Sequence, residues 1–167
     1  MARRFRGESE NKVDAKGRVS VPAAFRRVLE EGDPDWTPGL NPNLVLVYGG
    51  KSRNVIEGYT MTEMENVDDR IAGMQRGSRD RRLLEHMFSS QSVQVQVDET
   101  GRLVLTQKLR DKLGISKLAM FVATVDTFQI WEPSAYEAHA ERFESWVEDE
   151  DEDFDPLILL DSPQPVE

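Results

Sequence analysis

An aspartate, a glycine and an arginine recur at one fixed spacing in this chain. Asp14, Gly17 and Arg18 stand in VDAKGRVSVPAAFRRVLE (13–30), and Asp98, Gly101 and Arg102 stand in VDETGRLVLTQKLRDKLG (97–114), 84 residues later. The chemistry is local. Glycine supplies the left-handed residue that closes a tight loop. Aspartate at the head of a turn accepts backbone N–H bonds from the residues after it. Arginine beside such a turn is a planar fork of donors that matches phosphate oxygens or a guanine edge. An ordinary structural turn accounts for both aspartates and both glycines. It does not account for an arginine at the same place twice. Arg26 and Arg110 recur too, on the segments that follow, where an exposed helix charge or a contact with a carboxylate would explain them equally well.

Other chemistry is sparse. There is no cysteine, which excludes disulfides and thiolate metal sites. His86 and His139 sit in charged helical stretches and read as surface histidines. No glycine-rich phosphate loop and no metal-binding histidine spacing occurs. We therefore expect no catalytic residue, metal site, cofactor or small-molecule substrate. An enzyme on a small barrel is the weakest of the alternatives.

The formal net charge is −10, which at first argues against nucleic acid. Its distribution argues the other way. Residues 137–167 hold 12 acids and one base, whereas residues 1–27 hold eight bases and three acids. Local potential, not the total, steers a polyanion. Arg3, Arg4, Lys12 and Lys16 join the candidate DNA contacts on charge alone. The acidic tail, 148–167, reads as disordered and solubilising, with LILL (157–160) an odd apolar word inside it. It offers a different functional reading, an interaction module that recruits a basic partner or competes with DNA for the arginine turns. No apolar run approaches the ~20 residues of a membrane span. The basic start, MARRFRGESENK, has no apolar segment behind it and is not a signal peptide. A soluble cytoplasmic protein is expected.

The elements that must hold the two turns form a repeated pattern. Arg18 to Val21 is the return strand of a hairpin. Pro22 suits a helix start, and Ala24, Phe25, Val28 and Leu29 give that helix an apolar face. LVLVY (44–48) and VIEGY (55–59) predict a second hairpin, followed by a helix over 62–74. Leu83, Leu84, Met87 and Phe88 form a helical stripe expected to pack in the core. SVQVQVD (92–98) alternates, so Val93, Val95 and Val97 share an inner face with Leu103 and Leu105 beyond the loop. Asp98 and Arg102 become cross-strand neighbours on the outer face. A helix over 107–113 ends at Gly114. LAMFVATV and FQIW then form a last hairpin turning near 126–127, and a helix covers 135–147. We divide the chain into a first repeat (1–76), a second repeat (77–147) and the tail (148–167), the two repeats sharing one core.

The opening FRG (5–7), the stretch VDAKGRVSVPAAFR, its second copy VDETGRLVLTQKLRDKLGI and the closing FQIWEP (128–133) resemble the MraZ family of bacterial transcription regulators, relatives of the AbrB-type DNA-binding proteins. The resemblance covers about residues 3–147. It implies an α+β fold in which duplicated hairpin-helix-hairpin-helix units form a pseudo-twofold, swapped-hairpin β-barrel with flanking helices. It also implies ring-shaped homo-oligomers that bind double-stranded promoter repeats upstream of a cell-division and cell-wall operon containing their own gene, in the nucleoid. Arg18 and Arg102 would face DNA, supported by Asp14, Gly17, Asp98 and Gly101. The chain departs from the family pattern in two places. Thr106 stands where the second copy usually has a proline, and Ala123 and Thr124 stand where a glycine is common. Thr is a competent helix N-cap.

Overall fold

The structure is a computed structural model and describes residues 3–161. Among the described residues eight strands and five α-helices follow one another as β1 (Glu8–Lys12), β2 (Arg18–Ser20), α1 (Ala23–Glu31), β3 (Asn43–Val47), β4 (Ile56–Thr60), α2 (Met61–Ala72), α3 (Arg79–Leu84), β5 (Ser92–Gln96), β6 (Arg102–Val104), α4 (Gln107–Leu113), β7 (Leu118–Thr124), β8 (Thr127–Trp131) and α5 (Pro133–Glu148). The fold is α+β with antiparallel pairing throughout. Two predicted hairpins, β3–β4 and β7–β8, form as expected.

The closed barrel does not form. Six strands make an open sheet in the order β1-β7-β8-β4-β3-β5, and β2 and β6 pair with each other as a separate two-stranded ribbon. The physical reason is strand length. β2 and β6 have three residues each. The aspartate turns interrupt the ladder before them, leaving a single bridge between Val13 and Val19. So β1 and β5 remain as edges. The same arrangement corrects the hairpin register around Asp98: β5 pairs with β3, not with β6. Asp98 and Arg102 therefore meet across a turn rather than along a ladder. As an edge strand, β5 also buries less than its alternation suggests. Val97 is 1% exposed but Val93 is 39% exposed.

The main core lies between the sheet and the ribbon. Val19, Val21, Phe25 and Leu29 meet Leu103, Leu105, Leu109 and Leu113 there. Phe5, Phe25, Phe121 and Phe128 interlock at its centre, with Phe5 edge-on to Phe25 and to Phe128 at 5.2 Å. β3 is buried on both faces, which explains its unbroken apolar run: Leu44 and Leu46 enter the main core, while Val45 and Val47 face α2. Thr60 caps α2, its hydroxyl accepting the Glu63 N–H at 3.1 Å. Thr106 caps α4 in the same way, so the helix start survives without proline.

The stripe Leu83, Leu84, Met87 and Phe88 does not sit in the core as one face. α3 stops at Leu84 and continues as a π-helical turn, Glu85–Ser90, which rotates the later positions. Leu83 is exposed, while Leu84, Met87 and Phe88 are half-buried. The buried residue is instead Arg81. It donates to the carbonyls of Ala72 (3.1 Å) and Met74 (2.7 Å) at the end of α2 and to Glu85 (3.0 Å), so its charge is fully occupied.

α5 begins two residues earlier than a start at 135, at Pro133, and buries none of its residues completely. His139 is not a plain surface histidine: its ring stacks on Trp131 at 4.6 Å and meets Phe143 edge-on. Beyond α5, Pro156–Asp161 forms a short 3-10 helix with Leu157, Ile158, Leu159 and Leu160 each more than half exposed. The last stretch of the tail, 162–167, lies outside the described residues. Among the described residues no helix is long and apolar enough to cross a membrane.

The last hairpin turns at residues 125–126, one residue earlier than expected. Val125 there has φ +71, a left-handed conformation that a β-branched residue enters only under strain. The Phe5 N–H, donating to its carbonyl at 2.8 Å, helps hold it. Val125 is also 64% exposed, so its side chain contributes little packing. Val125→Asn is therefore expected to stabilise the protein by about 1 kcal/mol, raising its thermal midpoint by roughly 2–4 °C. A melt in which the midpoint stays put or falls would show that no strain is stored there.

Candidate nucleic-acid interface

The two aspartate turns are built from the same bonds. In the first, the Gly17 N–H donates to the Asp14 carbonyl at 2.9 Å, and the Asp14 N–H to the Arg18 carbonyl at 3.0 Å. Asp14 Oδ1 accepts the Lys16 and Arg18 N–H groups, each at 2.9 Å. Its Oδ2 accepts Arg18 Nε at 2.6 Å. In the second, the Gly101 N–H donates to the Asp98 carbonyl and the Asp98 N–H to the Arg102 carbonyl, both at 2.9 Å. Asp98 Oδ1 accepts the Thr100 and Arg102 N–H groups at 2.9 Å. Here the Thr100 hydroxyl comes between carboxylate and guanidinium, taking Arg102 Nε at 2.8 Å, and Asp98 Oδ2 lies 3.4 Å from that nitrogen. Gly17 and Gly101 have φ of +84 and +79, the left-handed values the loops demand.

The backbone N–H of Arg18, then its side chain and the Lys16 N–H, hold the Asp14 carboxyl below the ordinary carboxylate range. The backbone N–H of Arg102, then the hydroxyl and N–H of Thr100, do the same for Asp98. Both stay ionised near neutrality. Because the folded-state values are depressed, the turns contribute fully above the unperturbed value of 3.8 and fail as pH falls through their lower folded values. Carboxyl-carbon NMR titration should find both aspartates among the last to protonate. Titration of either at or above an ordinary aspartate would contradict this geometry.

Each turn is locked by the opposite end of the chain. The Leu105 N–H donates to the Gly17 carbonyl at 2.7 Å, and the Val21 N–H donates to the Gly101 carbonyl at 2.9 Å. Between these bonds run the ribbon pairs Arg18–Val104, Val19–Leu103 and Ser20–Arg102. Paired residues of an antiparallel ribbon share a face. Val19 and Leu103 point inward, 1% and 0% exposed. Arg18, Ser20, Arg102 and Val104 therefore share the outer face. The two arginines lie on a diagonal, two residues or about 7 Å apart along the strands. Their side chains are 37% and 33% exposed, so the guanidinium groups are both held and presented.

Arg26 and Arg110 are neither free helix charges nor caps on carboxylates. Arg110 Nε donates to the Leu105 carbonyl at 3.0 Å and lies against Gly17. Arg26 lies against Gly101, with its Nε buried and without a partner among the described residues. Each helix arginine thus covers the turn of the other half. Their recurrence at the 84-residue spacing was the available signal, but the crossing of the chain hid which turn each would meet.

The remaining candidates divide. Lys16 is in the first turn and Lys12 closes β1 just before it, both exposed, so the structure gathers them with Arg18. Arg3 and Arg4 lie at the other end of β1. Arg3 is bound to Glu31 through its backbone N–H (3.1 Å) and its Nε (3.0 Å). Arg4 lines a small cleft with Val28, Glu31 and Asp126.

The MraZ family model, described as "MraZ protein, putative antitoxin-like", matches residues 87–156. The chain is 55% identical over 165 residues to the transcriptional regulator MraZ of Ruegeria sp. (strain TM1040), covering 96% of this chain and 97% of the relative. The protein of the same name in Ruegeria pomeroyi is 54% identical over 162 residues, with the same coverage. That of Cereibacter sphaeroides (strain ATCC 17025) is 46% identical over 145 residues, 83% of this chain and 85% of the relative. With identity above one half extending over nearly the whole of both chains, the chain belongs to the MraZ family.

Proposed function

We propose that the protein is a sequence-specific, DNA-binding transcription regulator without catalytic activity, acting in the bacterial cytoplasm and nucleoid. The observation that carries this reading is the pair of anchored arginines, Arg18 and Arg102, on the one outer face of the β2–β6 ribbon. The major groove of B-DNA, about 12 Å wide, admits a two-stranded β-ribbon. Guanidinium forks at its two ends suit guanine edges or flanking phosphates. The relatives' shared name, transcriptional regulator, supports the same reading. Lys12 and Lys16 add sequence-independent attraction beside the first turn. Arg3 and Arg4 are peripheral contributors, since Arg3 is already compensated by Glu31.

The reciprocal bonds Leu105–Gly17 and Val21–Gly101 favour reading the chain as two repeats whose return strands have exchanged places, a swapped-hairpin pair within one molecule. One ribbon offers two readers and so binds weakly alone. Assembly of subunits into a ring, on promoter repeats of matching spacing, multiplies that affinity. The targets in this reading are the repeats upstream of the cell-division and cell-wall operon that holds the protein's own gene. Footprinting on that region, with the mass of the complex measured, is expected to show evenly spaced protected repeats under one multi-subunit particle. Protection that is absent, or no stronger than on random DNA, would overturn the proposal.

A further inference from the structure

An open apolar groove runs between α2 and the α3 segment. Its floor is Tyr59, Val67, Ile71, Met74, Leu84 and Phe88, with Arg70 on the rim, and it measures about 460 Å³. That lies within the ~300–1,000 Å³ of ordinary ligand pockets. Burial, with Glu57 nearby, raises the Tyr59 hydroxyl above its ordinary value, so the floor stays uncharged. The rim is basic. Residues 70–82 hold five arginines and one acid. Arg79 is bonded to Asp80, and Arg81 to Glu85 and two carbonyls. Arg70, Arg76 and Arg82 have no ion-pair partner among the described residues. Two acids of α2, Glu65 and Asp68, line a different cleft with Asp33 and Asp35.

The same chain carries the complement of this surface. Residues 148–155 hold seven acids and no base, and PLILL follows directly. The 3-10 helix Pro156–Asp161 places Leu157 and Leu160 on one face, because residues three apart eclipse in that geometry. Leu157 is 66% and Leu160 79% exposed. No described residue of the tail lines the groove. Within one molecule the acidic, leucine-bearing segment and the basic, apolar groove are thus both present and not joined.

We propose that the tail of one chain docks in the α2–α3 groove of a second copy, with Leu157 and Leu160 on the apolar floor and the 148–155 acids against Arg70, Arg76 and Arg82. This contact stands apart from the arginine turns, so the DNA-reading proposal and this one fail separately. It also gives the negative tail a role in assembly that leaves the β2–β6 ribbon uncovered.

The absence of cysteine makes the test direct. Full-length Met74→Cys and Leu160→Cys proteins are purified separately, mixed and mildly oxidised. A disulfide-linked heterodimer is expected. Its yield should fall when the Met74→Cys chain also carries Arg70→Glu and Arg82→Glu, and should recover when the Leu160→Cys chain carries Asp151→Arg and Asp153→Arg. Leu40→Cys, at a position 55% exposed and outside the groove, replaces Met74→Cys as the control. Absence of the heterodimer, or equal linkage to Leu40→Cys, would each overturn the proposal. Should Met74→Cys fail to fold, sedimentation of the Leu157→Asp/Leu160→Asp protein decides the matter. Weakened self-association is expected, and an unchanged distribution contradicts the contact.

Discussion

The Arg18→Ala/Arg102→Ala protein should lose about a thousandfold in affinity for the promoter repeats while melting close to the parent temperature. A well-placed arginine on a base edge discriminates by about 1–3 kcal/mol. Two such losses near the middle of that range give about 4 kcal/mol, or roughly three decades. In a ring the deficit recurs in every subunit that touches DNA, so linked binding amplifies it. Stability should change little, because both side chains are a third exposed and exposed ion pairs contribute little to folding. The single variants should fall between parent and double variant, at about thirtyfold each. The conservative exchange separates charge from shape. Arg18→Lys/Arg102→Lys keeps the charge but loses the fork, so it should hold non-specific affinity and lose discrimination between the repeats and random DNA.

The second large effect is on folding, and the two halves should differ although their motifs match. A Cβ at Gly17 would stand 2.1 Å from the Leu105 carbonyl oxygen, which is backbone and fixed by the ribbon. The left-handed φ of +84 adds its own strain. Gly17→Ala should therefore cost about 3–5 kcal/mol, lowering the thermal midpoint by roughly 10 °C or more. At Gly101 the Cβ would meet Arg26 Nη1 at 2.6 Å, the far end of a side chain that can swing aside. Gly101→Ala should cost only about 1–2 kcal/mol, mostly backbone strain. Adding Arg26→Ala to Gly101→Ala should cost less than the two changes summed. Equal destabilisation at both glycines, in parallel chemical denaturations, would mean that the opposing contacts do not lock the turns.

This difference marks where the sequence was legible. The Asp–Gly–Arg turns could be read, because aspartate, glycine and arginine act on one another through local backbone geometry, but the Thr100 hydroxyl between Asp98 and Arg102 could not. Helix α1 could also be read from its apolar spacing, α4 from its place in the repeat and its stop at Gly114, and the β3–β4 and β7–β8 hairpins from their apolar runs and turn residues. What followed each turn could not. β6 looks like the return arm of β5, yet Leu103 pairs with Val19, far away in the chain. Alternation determines which residues share a face but not which strand lies alongside; the closed barrel, which the resemblance implied, gives way to an open sheet and a separate ribbon. Arg81 was hidden for a related reason: an arginine among arginines looks solvated, and only the free carbonyls of Ala72 and Met74 explain its burial. The π-helical turn after Leu84 likewise has no marker in the apolar spacing, and it takes Met87 and Phe88 off the face that Leu83 and Leu84 begin.

The central claim is that Arg18 and Arg102 read DNA from a single ribbon face. Fluorescence anisotropy over a salt series tests it most directly, comparing parent, Arg18→Ala, Arg102→Ala and the double variant on the promoter repeat and on a scrambled repeat. The parent should prefer the promoter repeat and lose affinity steeply as salt rises. Each arginine removed should shrink that preference, and the double variant should bind both sequences alike. A double variant that keeps the parent's preference and salt slope would contradict the account.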